Sequence, residues 1–172
     1  YVLDGIDPGV RWDHWDQSYP GFVREWQPNS QDGLRLVDVS VFTTQLDETV
    51  YYAGVYREGS DGHVLSPGLE WPQFFGDWLT RTGQGLRLVD IETWVDGGRR
   101  LHLGVYRAGS GASTLDRGNW ASFTATWAER STQGLRLVDI ETYVEDGERR
   151  YLGSFVQGEG GYIPAPTAFV KE

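Results

Sequence analysis

Few residues in this chain have the type and spacing to do chemistry. It has no cysteine, which removes thiol nucleophiles, iron–sulfur clusters, disulfides and Cys-based zinc sites together. A serine activated in Ser-x-x-Lys spacing is absent, because the sole lysine, Lys171, has Ala168 three residues before it. A Gly-x-Ser-x-Gly elbow fails as well: Glu58 and Ala108 stand where the first glycine should precede Ser60 and Ser110, and both serines read as loop residues. His14, His63 and His102 show no ligand spacing for a metal. His102 holds the slot that Tyr52 and Tyr151 hold elsewhere, and reads as a strand side chain in a half-exposed aromatic row. The expectation is a chain with no catalytic residues, no metal and no cofactor.

Carboxylates are the remaining chemical resource, and a glycosidase pair among them stays open on inspection. Those that repeat have a plainer reading. Arg35 with Asp38, Arg87 with Asp90, and Arg136 with Asp139 recur at matching positions. Catalytic residues are normally unique in a chain, so these six are read as an Arg–carboxylate network holding strands or helix ends in register. The loop Ser60-Asp61-Gly62 could offer oxygens to calcium. It lacks the alternating acids and closing Glu of a calcium loop, and is read as a turn.

The elements that must position these residues follow from a repeat. Gly33-Leu-Arg-Leu-Val-Asp38 recurs from Gly85 to Asp90 and from Gly134 to Asp139, so the glycines stand 52 and 49 residues apart. A second block, Gly54-Val-Tyr-Arg57, returns at Gly104 to Arg107 and more loosely as Gly153-Ser-Phe-Val156. Upstream of each lies an aromatic, then Phe, then Trp: Tyr19, Phe22 and Trp26; Trp71, Phe74 and Trp78; Trp120, Phe123 and Trp127. Trp71, Phe74, Phe75, Trp78 and Leu79 share one face of a helix. Ser18 and Asn119 suit its N-cap, Pro20 and Pro72 its first turn, and the glycine that follows its end. Two β-rich runs come next, Leu86 to Val95 and Arg100 to Tyr106, joined by Asp96-Gly97; Asp146-Gly147 does the same later. The first copy is longer in its hairpin loop, near Gln45 to Thr49.

The fold expected is α+β: three units of about 50 residues, each a short amphipathic helix and a β-hairpin, forming one curved antiparallel sheet around an aromatic core. All 172 residues are read as a single repeat domain, with an N-terminal cap over 1–17, repeats over 18–67, 68–117 and 118–160, and a C-terminal cap over 161–172. The size suffices for a core without staples. Glycine, 23 residues or about 13% against an average near 7%, fits many tight corners. The net charge of −10 repels phosphate backbones and anionic lipid, so nucleic acid and membrane surfaces are poor partners. No apolar run is long enough to cross a membrane, and no signal peptide is visible. The opening Tyr1 is read as the start of a mature or trimmed piece.

Aromatic-x2-Phe-x3-Trp, then Gly-Leu-Arg-Leu-Val-Asp, then Gly-Val-Tyr-Arg-x-Gly, resembles the bacterial tandem-repeat domain family. It is also similar to the N-terminal repeats of fungal polyglycine hydrolases, a half-barrel, lectin-like domain. The resemblance covers residues 15 to 160, with Tyr19 departing from Trp, and Phe155-Val156 from Tyr-Arg. It implies an accessory module that is secreted, periplasmic or on the cell surface, often attached to a hydrolase of the serine β-lactamase type. It implies no catalytic residue in the repeats.

The leading expectation is a non-catalytic module binding carbohydrate or extended peptide. The next is a structural subunit docked on another protein chain; a hydrolase comes last. Phe42, Trp94 and Tyr143 hold one repeated strand position, and Tyr52, His102 and Tyr151 another. Trp94, Tyr143, Tyr106, Tyr56 and Tyr151 are the ligand-binding candidates, provided their rings are exposed for stacking. The bland reading packs such rings between hairpins. An exposed row of Trp94, Tyr143 and Tyr106 would favour binding, and a broad apolar face would favour assembly. Strict alternation sets Arg87 and Asp90 on opposite faces, so Asp90 is expected to reach backbone N–H groups or a neighbouring unit.

Overall fold

The structure, a computed structural model, describes residues 10–12, 18–43 and 49–158. Most of the expected N-terminal cap, the whole C-terminal cap and residues 44–48 of the longer hairpin loop lie outside the described residues. The chain divides into two compact units, residues 1–109 and 110–172. The first contains β1 (Val10–Trp12), α1 (Tyr19–Gln31), β2 (Leu34–Thr43), β3 (Val50–Glu58), β4 (His63–Leu65), α2 (Trp71–Gly83), β5 (Leu86–Asp96) and β6 (Arg99–Ala108). The second contains β7 (Ser113–Gly118), α3 (Trp120–Thr132), β8 (Leu135–Glu145) and β9 (Glu148–Gln157).

Each helix starts and stops by local chemistry. The Ser18 hydroxyl accepts from Gly21 N at 3.2 Å, and Asn119 Oδ1 accepts from Ser122 N at 3.0 Å. These bonds satisfy amides that have no partner inside the helix. Pro20 and Pro72 fall in the first turn, where a missing N–H costs nothing. Gly33, Gly85 and Gly134, at φ of +80°, +80° and +76°, then turn the chain out of the helix, a conformation that penalises any side chain. Arg35 Nη1 donates to Ser30 O and Leu34 O at 3.0 and 2.9 Å, and Arg87 Nη1 to Thr82 O and Leu86 O at 3.2 and 2.7 Å. The repeated arginine therefore serves the carbonyl end of the preceding helix, where a cation is favoured.

The strands form three small antiparallel sheets, ordered β1-β3-β2, β4-β6-β5 and β7-β9-β8, in place of the single continuous sheet expected. Each holds the predicted hairpin plus a short third strand that the sequence reading lacked. That strand pairs with the outer side of the hairpin's second strand, so His63 faces Arg107 and Ser113 faces Val156. The repeat bounds at 67/68 and 117/118 are corrected accordingly, since β4 and β7 belong with the copy that follows them. Asp146 and Gly147, at φ of 52° and 77°, centre one hairpin turn. The middle copy turns at the equivalent pair, Gly97 and Gly98, one residue beyond the expected Asp96-Gly97, because two adjacent glycines take positive φ more easily than Asp96 does. Each first strand carries a bulge, after Leu36, Leu88 and Leu137.

The bulge and the second-strand glycine explain the core. A Cβ on Gly104 would lie 2.6 Å from Leu88 Cδ1 and 3.2 Å from Phe74 Cε2. On Gly54 it would meet Leu36 and Phe22, and on Gly153 it would meet Leu137 and Phe123. The repeated Gly, Leu and Phe are thus one packing unit: the helix ring and the strand leucine fill the space that glycine leaves empty. On the same strand Tyr52, His102 and Tyr151 stack on Phe22, Phe74 and Phe123, with ring centroids 5.8, 5.5 and 5.8 Å apart.

In the first unit the two sheets meet through β2 and β5. Val39 N donates to Asp90 Oδ2 at 2.9 Å, and Val41 N donates to Glu92 Oε2 at 3.2 Å. Two carboxylates two residues apart thus satisfy two amides two residues apart on the neighbouring strand. Asp90 reaches the adjoining copy, and Asp38 in the first copy stays exposed. Behind the joint, Phe22, Leu36, Val39, Tyr52, Tyr56, Leu65, Trp94, Leu103 and Val105 form one buried cluster drawn from both sheets.

Two outcomes follow for urea denaturation. Asp90→Ala leaves the buried Val39 amide without its acceptor and should cost about 1–3 kcal/mol, whereas Asp90→Asn, which keeps an oxygen there, should lose much less. A loss within ~0.5 kcal/mol for the alanine variant would show that the joint does not need the carboxylate. Gly104→Ala should cost about 1–3 kcal/mol by overpacking Leu88 and Phe74, and an unchanged midpoint would contradict the packing unit.

Candidate functional site

The five aromatic candidates are not an exposed row. Trp94, Tyr143, Tyr106 and Tyr56 are buried, and Tyr151 is half-buried against Trp120 and Phe123. For Tyr56, Tyr106 and Tyr151 the reason is the unforeseen third strand. It makes β3, β6 and β9 the central strand of each sheet, covered on both edges, and the helix covers the inner face. Tyr106 sits so deep that burial pushes its phenol well above the ordinary range. Stacking on ligand as an exposed row is closed to Trp94, Tyr106 and Tyr56, which pack in the core. Of the network residues, Arg35 and Asp90 are buried, Arg87 and Asp139 half-buried, and Asp38 and Arg136 exposed. Asp139 Oδ1 accepts from Ile140 N of its own strand at 2.8 Å.

Sequence reasoning also missed a Ser–His contact, since Ser30 and His63 lie 33 residues apart and belong to different copies. Ser30 Oγ stands 2.8 Å from His63 Nε2 and 2.7 Å from Trp26 O. A nucleophilic serine must give its proton to the imidazole. Here the Trp26 carbonyl competes with the ring for the single hydroxyl proton. Ser30 also ends a helix, where the dipole disfavours a developing oxyanion. Burial, and then the Arg35 charge, hold His63 below its ordinary pKa of 6.5. Nearby, Arg107 Nε and Nη2 grip Asp61 at 2.9 and 2.5 Å and keep its carboxyl below the usual range. Asp61 is thereby committed to an ion pair rather than to calcium. Among the described residues no group of three or more His, Cys, Asp or Glu could hold a metal.

What the second unit does offer is a polar cleft of about 240 Å³, lined by Arg117, Gly118, Tyr143, Glu145 and Arg150. Its lining is best understood against the middle copy. Tyr143 faces Arg150 across β8 and β9 as Trp94 faces Leu101 across β5 and β6. Gly118 faces Tyr151 as Leu69 faces His102, which sets Arg117 level with Gly68. In the middle copy the Trp94 ring lies flat on Gly68, where a Cβ would be 2.7 Å from its Cη2, and Leu101 closes the side. In the third copy a smaller ring and two arginines replace that apolar plug, and the space opens. Arg150 pairs loosely, Nη2 at 3.1 Å from Glu148 and Nε at 3.8 Å from Glu145, and its buried Nε has no hydrogen-bond partner among the described residues. Such half-exposed pairs add little stability and are easily exchanged for a ligand. The volume lies below the ~300–1,000 Å³ of sites for drug-sized ligands, so one ring or one side chain suits it.

The chain was then compared with known proteins. Residues 14–58 and 119–158 match the polyglycine hydrolase-like structural repeat. No curated protein and no solved structure matches the chain. Both matched segments take in a helix and its hairpin, and the chain is similar to that repeat over them. The short outer strands β1 and β7 fall outside both, so the repeat segments supply Tyr143, Glu145 and Arg150 of the cleft, and Arg117 and Gly118 come from the added strand.

The His63 environment sets a pH dependence. Its folded pKa is depressed, so its contribution to stability is full above about pH 6.5 and is lost as pH falls and the unfolded chain takes up the proton first. Thermal melts between neutral and mildly acidic pH should show that loss, and His63→Gln should flatten it. An identical slope in the variant would remove His63 as the cause.

Proposed function

We propose that this chain is a non-catalytic recognition module for carbohydrate, and that the ligand occupies the cleft between β7 and the β8–β9 hairpin. The observation that carries the reading is the replacement of Gly68, Trp94 and Leu101 by Arg117, Tyr143 and Arg150 at one place in otherwise alike copies. The first copy pairs Phe42 with Tyr51 at the same place, so the apolar plug belongs to the middle copy and the open polar cavity to the third. Guanidinium donors, a carboxylate acceptor and a phenol edge on one small cleft match the alternating donors and acceptors of a sugar ring's hydroxyls. The acidic surface favours a neutral sugar over an anionic one. An extended peptide, whose amides offer the same complementarity, is the second ligand class.

The absence of a catalytic role is part of the proposal and is supported by the Trp26 carbonyl, which competes with His63 for the Ser30 proton. A secreted or surface location is likewise proposed, from the resemblance of the repeats.

A neutral-glycan array followed by titration calorimetry tests the reading. Arg150→Ala and Glu145→Gln should each weaken binding about tenfold, the scale of one charge-assisted hydrogen bond, while the melting temperature stays within a few degrees of wild type. A wild-type chain that binds no glycan, or variants that bind like wild type, would end the carbohydrate reading. Capture on a peptide array under the same conditions would move the assignment to the second class.

A further inference from the structure

The ring that opens each helix is set down differently in the third copy. Tyr19 and Trp71, which hold this position in the first two copies, are half-buried, whereas Trp120 is 37% exposed. The cause lies one turn along the helix. Trp71 has Phe75 four residues on, with ring centroids 5.8 Å apart, and Phe74 and His102 at 6.3 and 5.4 Å. In α3 the residue four on is Thr124, whose hydroxyl turns back to the Trp120 and Ala121 carbonyls, at 2.9 and 3.1 Å. It has no ring to lay on the indole. Trp120 rests on Tyr151, at 5.0 Å, and keeps the remainder of its surface in solvent.

Trp120 also stands beside the cleft. Gly118 ends β7 and lines the cleft, and Trp120 follows two residues later, so their Cα atoms are no more than about 7 Å apart. Gly118 permits the close approach of α3, since a side chain there would collide with Ser122 Oγ in the first turn of that helix. On β9, Arg150 lines the cleft and its neighbour Tyr151 carries the Trp120 ring. Successive residues of a strand point to opposite faces, so the cleft and the indole lie on either side of the end of β7. Where the middle copy has an apolar plug and a covered ring, the third has an open polar cleft and an exposed indole.

We propose that Trp120 is a second carbohydrate subsite, next to the one in the cleft. Resting on the carbohydrate reading of the cleft, this subsite fixes the size of the ligand as an oligosaccharide of two or more units. One unit sits among Arg117, Glu145 and Arg150, and the next crosses the end of β7 onto the indole. The cleft, at about 240 Å³, suits one ring, so a neighbouring unit must lie outside it. A sugar ring carries hydroxyls around its rim and C–H bonds on its faces. Donors and acceptors in the cleft read the rim of the first unit, and a flat aromatic face covers the C–H side of the second. Because both subsites engage one molecule, the second contact forms at high effective concentration and adds affinity without a second pocket.

Ligand length separates the two subsites. Each neutral sugar that the wild-type chain retains on the array is titrated by calorimetry as monosaccharide, disaccharide and trisaccharide, with glucose, cellobiose and cellotriose as the reference series. In wild type the disaccharide should bind about tenfold tighter than its monosaccharide. Trp120→Ala should bind the monosaccharide as wild type does and lose that gain, and Trp120→Phe should recover part of it. Arg150→Ala should weaken both lengths alike. Equal binding of the two lengths by wild type, a Trp120→Ala chain that keeps the gain, or one that loses the monosaccharide as well would overturn the second subsite and leave the cleft standing. A wild-type chain that retains no glycan would overturn both.

Discussion

The first unit depends on a substitution of chemistry at one strand edge. Backbone amides on an outer strand must find acceptors when they are buried, and the usual source is the carbonyl row of another strand. Here the acceptors on β2 are the side-chain carboxylates of Asp90 and Glu92. A carboxylate reaches farther than a carbonyl, so the two strands need not lie at sheet spacing. The sheets can then turn away from each other while their buried edge stays satisfied. The shared cluster around Val39, Tyr52 and Trp94 exists because that edge can be buried at all.

That constraint shapes which residues repeat. The acid makes the joint at Asp90, and the strand glycine must repeat because the helix Phe and strand Leu need its missing side chain. The arginine must repeat because each helix ends in carbonyls directly before the strand begins. Arginine rather than lysine suits the other basic sites too. Arg107 on Asp61 and Arg130 on Asp116 are both two-pronged pairs, the latter with Nε and Nη2 each at 3.0 Å. Burial alone would raise the Asp116 carboxyl, but the Arg130 and Thr114 hydrogen bonds outweigh it and hold the group low. A lysine offers only a point charge and could not make such forks. One lysine against 14 arginines is consistent with that demand.

Much of the fold was legible because its signals are local. The caps at Ser18 and Asn119, the stop glycines, and the hairpin turns are each decided by residues within a few positions of one another. The bulge and the short strands were not legible. β4 has three residues, and its identity comes from the Arg107 and Val105 partners it meets 40 or more positions later, not from any periodicity of its own. Missing it turned β6 from a central strand into a half-exposed one and moved Tyr106 from core to candidate site, as missing β1 did for Tyr56 on β3. Asp90 shows the reverse case. Strict alternation set Arg87 and Asp90 on opposite faces and pointed to backbone N–H groups or a neighbouring unit as the acid's partner, and the Val39 amide on β2 is both. What it could not supply was which strand carries that amide.

The cleft was illegible for a different reason. Each of its residues is ordinary in type, and only the comparison of aligned copies makes Arg117, Tyr143 and Arg150 a set. A repeat protein offers an internal control that a single-copy fold lacks, because the copies share backbone geometry and differ in side chains. Where two copies keep Gly, Phe and Leu together, packing decides the residues. The third copy sets Arg117, Tyr143 and Arg150 where the middle copy has Gly68, Trp94 and Leu101, and donors and acceptors there surround an open volume. Tyr143 stays as buried as Trp94, and the arginine in place of Leu101 forfeits apolar burial worth on the order of 1 kcal/mol. Such a loss persists in a marginally stable chain only where something outside the fold compensates for it. On the proposed reading the third copy is the place where this molecule meets a ligand, and the argument for it is energetic, which the repeated residues cannot supply.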